Sequence, residues 1–65
     1  MRSMERETIL TTTKARYELR TFDDGSFDVW VEYKNRPVRA RWYKLARGPR
    51  EWCEKIARKH ADNRL

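Results

Sequence analysis

Arginine and aromatic side chains alternate with carboxylates through the middle of the chain. Arginine carries a planar group of five donors that suits phosphate oxygens and guanine edges, and an exposed aromatic ring can stack on a base. This combination predicts contacts with nucleic acid. The candidate binding residues are Arg16, Arg20, Trp30, Lys34, Arg36, Arg39, Arg41, Tyr43, Arg47 and Arg50.

The candidates fall into three predicted roles. We expect Arg16, Arg20, Arg39 and Arg41 to contact phosphates or base edges, and Trp30 and Tyr43 to stack or wedge. The cations at the predicted sheet ends would grip flanking phosphates; these are Lys34, Arg36, Arg47 and Arg50. Neutralising roughly four to six phosphates predicts a log–log salt slope of about −4 to −5.

Residue types that could catalyse a reaction are few. Cys53 and His60 are seven residues apart, which on a helix places them about 10 Å apart, too far for a catalytic pair. Asp23 and Asp24 lie in a predicted hairpin and lack further metal ligands. No phosphate-binding loop, dinucleotide loop or zinc spacing occurs. The sequence predicts no enzyme, no cofactor and no metal site.

A period-two pattern of apolar residues predicts three β-strands between Lys14 and Leu45. The runs reach Phe22, cover Phe27–Lys34 and cover Val38–Leu45. The pattern predicts that one set of side chains faces inward; this set comprises Tyr17, Leu19, Val29, Val31, Ala40 and Trp42.

Turn residues separate the predicted strands. The Asp24-Gly25 pair between the first two runs is a strong hairpin signal. Asn35-Arg36-Pro37 predicts the second turn, since Pro cannot donate to a central ladder. Short connections make successive strands antiparallel neighbours, so the sequence predicts a three-stranded meander.

A helix is predicted to follow the sheet. Gly48 and Pro49 suit a helix start, and the helix is expected to end near Ala61–Asn63. An apolar stripe would pack on the sheet; it comprises Trp52, Cys53, Ile56, Ala57 and His60. The predicted class is α+β: a three-stranded antiparallel β-meander with one C-terminal helix packed on one face (β-β-β-α). The other face would stay open and carry the binding residues.

The N-terminal region is expected to contribute less. Residues 1–7 are predicted to form a flexible arm, and residues 8–65 a single small domain. Thr8–Thr13 has β-branched character. It either extends the first strand or covers a sheet edge, and the sequence leaves both readings open.

Composition limits the classes of function. Sixteen Lys and Arg residues against ten Asp and Glu residues give a formal charge of +6, which attracts phosphate backbones or an acidic protein surface. One cysteine permits no internal disulfide. No secretory signal and no long apolar run is visible, so we expect a cytoplasmic protein without a membrane partner.

Two alternatives to a nucleic-acid interface remain open. Cross-strand Arg–Glu pairs alone would explain a charged, solvated sheet face. The same Trp, Tyr and Arg residues could anchor a protein partner. In that reading the chain is a small inhibitor or modulator of a larger host protein, or a homodimer. A regulatory or accessory protein of a phage or other mobile element suits the small size.

The order of elements from Lys14 to Asn63 resembles two DNA-reading designs. One is the DNA-binding domain of plant ethylene-response factors, and the other is the arm-binding domain of phage-type tyrosine integrases. The resemblance implies a sheet laid in the major groove with the helix behind it. It lies in element order alone and assigns no residue roles.

Overall fold

Four antiparallel strands and one helix make up the fold in a computed structural model, which describes residues 4–64. The strands lie side by side in sequence order. Their bounds are β1 Met4–Thr11, β2 Ala15–Phe22, β3 Phe27–Tyr33 and β4 Trp42–Gly48, followed by helix α1 Arg50–Arg64. An antiparallel sheet with a C-terminal helix packed on it is confirmed, but the predicted number of three strands is wrong.

The additional strand is β1, which pairs antiparallel with β2. Thr8–Thr13 therefore does not extend the first predicted strand but belongs to a strand and turn that cover its edge. The Thr12 hydroxyl closes the turn by accepting the backbone N–H groups of Lys14 and Ala15 at 3.2 and 3.0 Å. Residues 4–7, predicted as part of an arm, form the first half of β1. Residues 1–3 of that predicted arm lie outside the described residues.

The hairpin between β2 and β3 forms where the sequence predicted it. Gly25 has a φ of +85°, a left-handed conformation that favours glycine. The Asp24 carboxylate accepts the Ser26 hydroxyl at 2.6 Å and the Ser26 backbone N–H at 3.0 Å. These hydrogen bonds hold the pKa of Asp24 below its ordinary value. The turn thereby fixes the register of the two central strands.

One face of the sheet packs against α1 and holds the apolar core. Tyr17, Leu19, Val29 and Val31 are fully buried, so the predicted inward direction of β2 and β3 is confirmed. Burial of a large apolar side chain contributes about 1.5–3 kcal/mol. The helix contributes small residues to this seam, which let it approach the sheet closely; they are Cys53, Ala57 and Ala61.

The helix stripe differs in part from the predicted one. Trp52 is 47% exposed rather than buried, and its ring lies over the edge of the sheet at Gly48. A Cβ atom at Gly48 would lie 3.0 Å from Trp52 Cδ1, so this ring position depends on glycine. His60 lies beside two tyrosines: its Nδ1 is 2.8 Å from the Tyr17 hydroxyl and its Nε2 is 3.3 Å from the Tyr33 hydroxyl.

Strand β4 has a different register from the predicted one. Residues Val38–Ala40 form a 3-10 turn, and the strand starts only at Trp42. Trp42 pairs with Glu32 and Tyr43 with Val31, so Trp42 lies on the open face and Tyr43 on the helix-covered face. The prediction that Trp42 faces inward is therefore wrong, and Ala40, also predicted to face inward, lies in the 3-10 turn and is not fully buried. Tyr43 packs edge-on against Tyr33, with ring centroids 5.7 Å apart.

Candidate nucleic-acid interface

The face of the sheet opposite α1 is charged and, within residues 4–64, no helix covers it. Strand pairing places matching residues of all four strands on this open face. We call the following residues the open face: Met4, Arg6, Thr8, Thr11, Arg16, Glu18, Arg20, Phe22, Asp28, Trp30, Glu32, Trp42, Lys44 and Arg47.

Glu18 lies at the centre of the open face beneath three arginines. Its side chain is only 5% exposed. Arg20 Nε donates to its Oε1 at 2.7 Å, Arg16 Nη1 lies 3.7 Å from its Oε2, and Arg6 Nε lies 4.0 Å from its Oε1. A carboxylate removed from water in this way needs partners of opposite charge. Glu18 therefore fixes the positions of cations that lie closer to solvent.

Asp28 repeats this arrangement towards the β2–β3 turn. Its side chain is 7% exposed, with Arg47 Nε at 3.4 Å and Lys44 Nζ at 3.9 Å. Oδ1 accepts no hydrogen bond within residues 4–64, so the ion pairs with Arg47 and Lys44 compensate the charge of Asp28. The Arg47 side chain is 54% exposed and lies on the solvent side of the carboxylate.

Glu32 completes the carboxylate layer at the opposite end of the face. Arg16 Nε donates to Glu32 Oε1 at 2.9 Å, and Arg41 Nη1 lies 4.0 Å from Oε2. Six cations thus surround three acids, which leaves a formal excess of three positive charges. Because the acids lie beneath the cations, the outermost charge of the open face is positive.

Two indole rings flank one of these arginines. The guanidinium carbon of Arg20 lies 4.2 Å from the Trp30 ring centroid and 5.2 Å from that of Trp42. Arg16 also lies over Trp42, at 5.2 Å. Trp30 Nε1 is buried and has no hydrogen-bond partner within the described residues. Stacking and ion pairing together hold the Arg20 guanidinium in one orientation.

Several predicted binding residues lie on this surface. Arg16, Arg20 and Trp30 occupy the open face as predicted. Arg41 precedes β4 but reaches Glu32. Arg47, predicted at a sheet end, pairs with Asp28 on the open face instead.

The other predicted binding residues lie elsewhere. Tyr43 was predicted on the open face but lies on the covered face, because β4 starts later than expected. Arg39 belongs to the 3-10 turn rather than to a strand. Lys34 and Arg36 lie at the end of β3, as predicted. Arg50 begins α1 and hydrogen-bonds Glu7 and Glu54, which raise its pKa.

Three of the cationic and indole side chains of the open face were absent from the predicted binding set, namely Arg6, Trp42 and Lys44. The sequence pattern predicts that Trp42 faces the core and that Arg6 belongs to the N-terminal arm, and it predicts no role for Lys44. The sequence indicates that Trp42 and Lys44 point to the same face of a strand. It does not show which face this is, because that depends on where β4 starts. Arg6 carried no strand signal because charged residues surround it.

The residues considered for catalysis have structural surroundings. Cys53 is buried, and its Sγ lies 3.8 Å from the Phe27 carbonyl oxygen and 3.7 Å from that of Gly48. Burial raises the pKa of the Cys53 thiol and disfavours the reactive thiolate. Among residues 4–64, no three His, Cys, Asp or Glu side chains are grouped to hold a metal ion. Over the same range, no helix is long and apolar enough to cross a bilayer.

Comparison with protein-family models, with curated proteins and with solved structures gave no match. Any functional conclusion therefore rests on the geometry and charge of the molecule itself.

Proposed function

We propose that the chain binds nucleic acid, with duplex DNA favoured over RNA, through the open face of its sheet. The observation that carries this proposal is the layering of charge. Buried Glu18 and Asp28 hold cations above them, and the layer keeps an excess of three positive charges. Fixed, outward cations match the repeating charges of a phosphate backbone.

The carboxylates do not oppose this role, because they orient the arginine donors and leave the outer N–H groups for phosphate. Arg20 uses Nε for Glu18, and its terminal nitrogens donate to no other residue within 4–64. A phosphate or a guanine edge can accept from that end of the guanidinium. Trp30 and Trp42 limit the rotation of Arg20 and so reduce the entropy lost on binding. The chain would act as a small regulatory or accessory DNA-binding protein.

The proposal is tested by the salt dependence of binding to a fluorescent duplex, a single strand and an RNA hairpin. We expect duplex binding with a log–log slope of about −4 to −5. The informative double variant is Arg6→Gln with Lys44→Gln. It removes two exposed cations of the open face but leaves Arg20 beside Glu18 and Arg47 beside Asp28. The slope should become less steep by about two.

A matched control removes the same charge from the other side of the molecule. Lys55→Gln with Arg58→Gln changes two exposed cations of α1. This control should leave the slope within about one of the wild-type value. Absence of binding to every nucleic acid at low salt would refute the proposal, and so would an equal loss in the two double variants.

A protein partner is the second candidate. The outer edges of β1 and β4 have no neighbouring strand within the described residues, and Tyr43 is exposed beside the β4 edge. Sheet edges of this kind can pair with a partner strand, including that of a second copy. Sedimentation at rising protein concentration tests the homodimer. A partner retained at high salt after nuclease treatment would favour this candidate over nucleic acid.

A further inference from the structure

The connection between β3 and β4 presents an exposed apolar residue between two arginines. Val38 is 78% exposed, and Pro37 precedes it. Arg36 and Arg39 flank this pair, and we call the four residues the Arg36–Arg39 tip. An isolated exposed valine is common on protein surfaces. The charge and rigidity of its surroundings distinguish this one.

The tip is cationic without compensation. No acidic residue occurs in the sequence between Glu32 and Glu51. Neither Arg36 nor Arg39 forms an ion pair within residues 4–64, whereas the arginines of the open face all do. The backbone N–H of Lys34 bonds to the carbonyl of Lys14 at 3.0 Å, which brings a further lysine to this end of the sheet.

Several contacts hold the tip in one conformation. Arg41 donates from Nε and Nη2 to the Arg36 carbonyl at 3.3 and 3.2 Å. The Ala40 N–H bonds to the Pro37 carbonyl at 2.9 Å, and the proline ring fixes its own φ. The Arg36 guanidinium carbon lies 4.3 Å from the Tyr33 ring centroid. A tip ordered in advance loses little conformational entropy when it binds.

We propose that the Arg36–Arg39 tip enters the minor groove of duplex DNA, where Pro37 and Val38 press against a base step. Minor-groove proteins use apolar wedges of this kind, with arginines drawn to the negative potential of a narrow groove. The inference rests on the proposed function and deepens it. It predicts a preference for A·T-rich duplexes, because their minor groove is the narrowest.

The same geometry explains why DNA should be favoured over RNA. The minor groove of A-form RNA is wide and shallow, so it cannot close around a narrow tip. A membrane surface is a poorer match, because one Val and one Pro bury little apolar area in lipid. The cationic flanks would suit either surface, so the test must separate them.

The test measures the affinity of Val38→Ser and Arg39→Gln for A·T-rich and G·C-rich duplexes. Both residues are exposed, so the fold should persist, which circular dichroism can verify. Val38→Ser should weaken A·T-rich binding roughly tenfold while leaving the salt slope unchanged. Arg39→Gln should reduce the slope by about one. Netropsin, which occupies the minor groove, should displace the wild-type protein.

The outcomes separate this inference from the proposed function. Wild-type duplex binding that resists netropsin and tolerates Val38→Ser would overturn the tip inference alone. Absence of duplex binding by the wild type would overturn both proposals. If anionic phosphatidylserine vesicles retain the protein in a Val38-dependent way while duplex affinity is unchanged in Val38→Ser, the tip contacts lipid and the inference fails.

Discussion

The two faces of the sheet exclude water by opposite means. On the covered face, Leu19, Val29 and Val31 pack against Cys53 and Ala57 of α1. On the open face, Glu18 and Asp28 reach a similar degree of burial beneath their own cations, without any covering element in residues 4–64. The covered face is stabilised by loss of apolar surface from water. The open face depends on charge pairing and therefore keeps donors available to solvent.

This difference explains how a short chain keeps one face of its sheet uncovered. An uncovered apolar face would promote aggregation, whereas a cation-rich layer stays hydrated. The carboxylates limit self-repulsion between six neighbouring cations. The charged face therefore contributes order to the sheet, and the apolar face contributes most of the stability.

The largest loss of stability is expected from a substitution on the covered face. Leu19→Ala removes a fully buried side chain and should reduce the free energy of unfolding by about 2–5 kcal/mol. Urea denaturation followed by tryptophan fluorescence measures this loss. A chain of this length has a small total stability, about 3–10 kcal/mol. A loss below about 1 kcal/mol would show that the covered face is not the main source of stability.

A smaller effect is expected from the open face. Glu18→Gln leaves three arginines without their central acid and should reduce the free energy of unfolding by about 1–3 kcal/mol. The control is Glu51→Gln, an exposed carboxylate in the first turn of α1, with an expected change of about 0.5 kcal/mol or less. Equal losses in the two variants would refute the layered arrangement.

The smallest effect concerns pH and the covered face. Burial raises the pKa of Cys53, so the folded state resists forming the thiolate. The stability that this thiol contributes is complete below the pKa of the unfolded thiol, about 8.5, and is lost as pH rises through the higher folded value. The stability difference between wild type and Cys53→Ala should therefore fall in alkaline solution and stay constant between about pH 6 and 8.

Thiol labelling gives an independent measure of the same burial. Alkylation of native Cys53 at neutral pH should be much slower than alkylation of the urea-unfolded chain. Labelling of the native protein at the rate of the unfolded chain would contradict a closed seam between α1 and the sheet.

The sequence predicted the centre of the fold because period-two alternation is unbroken there. Tyr17, Leu19, Val29 and Val31 point inward as expected. The Asp24-Gly25 hairpin and the C-terminal helix also formed. At these places the local pattern and the tertiary packing require the same conformation.

The edge strands could not be predicted for a physical reason. In β1 the pairing register shifts between Thr8 and Leu10, which interrupts the alternation, and three charged residues follow Met4 at the start of the strand. At the opposite edge of the sheet, the residues of the 3-10 turn at Val38–Ala40 alternate between apolar and charged, as the residues of a strand would. Two successive aromatic residues follow, Trp42 and Tyr43, and their side chains point to opposite faces of the sheet. Pairing with Glu32 and Val31, rather than side-chain type, decides their faces.

Part of the candidate site followed from the sequence as well. Arg16, Arg20 and Trp30 lie in the centre of the sheet, where alternation fixed their direction. The burial of Glu18 and Asp28 beneath the cations could not be read from the sequence, because it depends on cross-strand neighbours from all four strands. The binding role of Arg16, Arg20 and Trp30 stays a prediction.

Indole signals offer the most direct test of a ligand on the open face. Trp30 and Trp42 lie on that face, whereas Trp52 lies on α1 on the other side of the sheet and serves as an internal control. The measurement is an NMR titration of ¹⁵N-labelled protein with an A·T-rich duplex. Binding through the open face predicts shifts of the Trp30 and Trp42 indole N–H signals and of Arg20 Nε, with Trp52 nearly unchanged. Shifts confined to Trp52 and its helix, or no shifts at all, would contradict it.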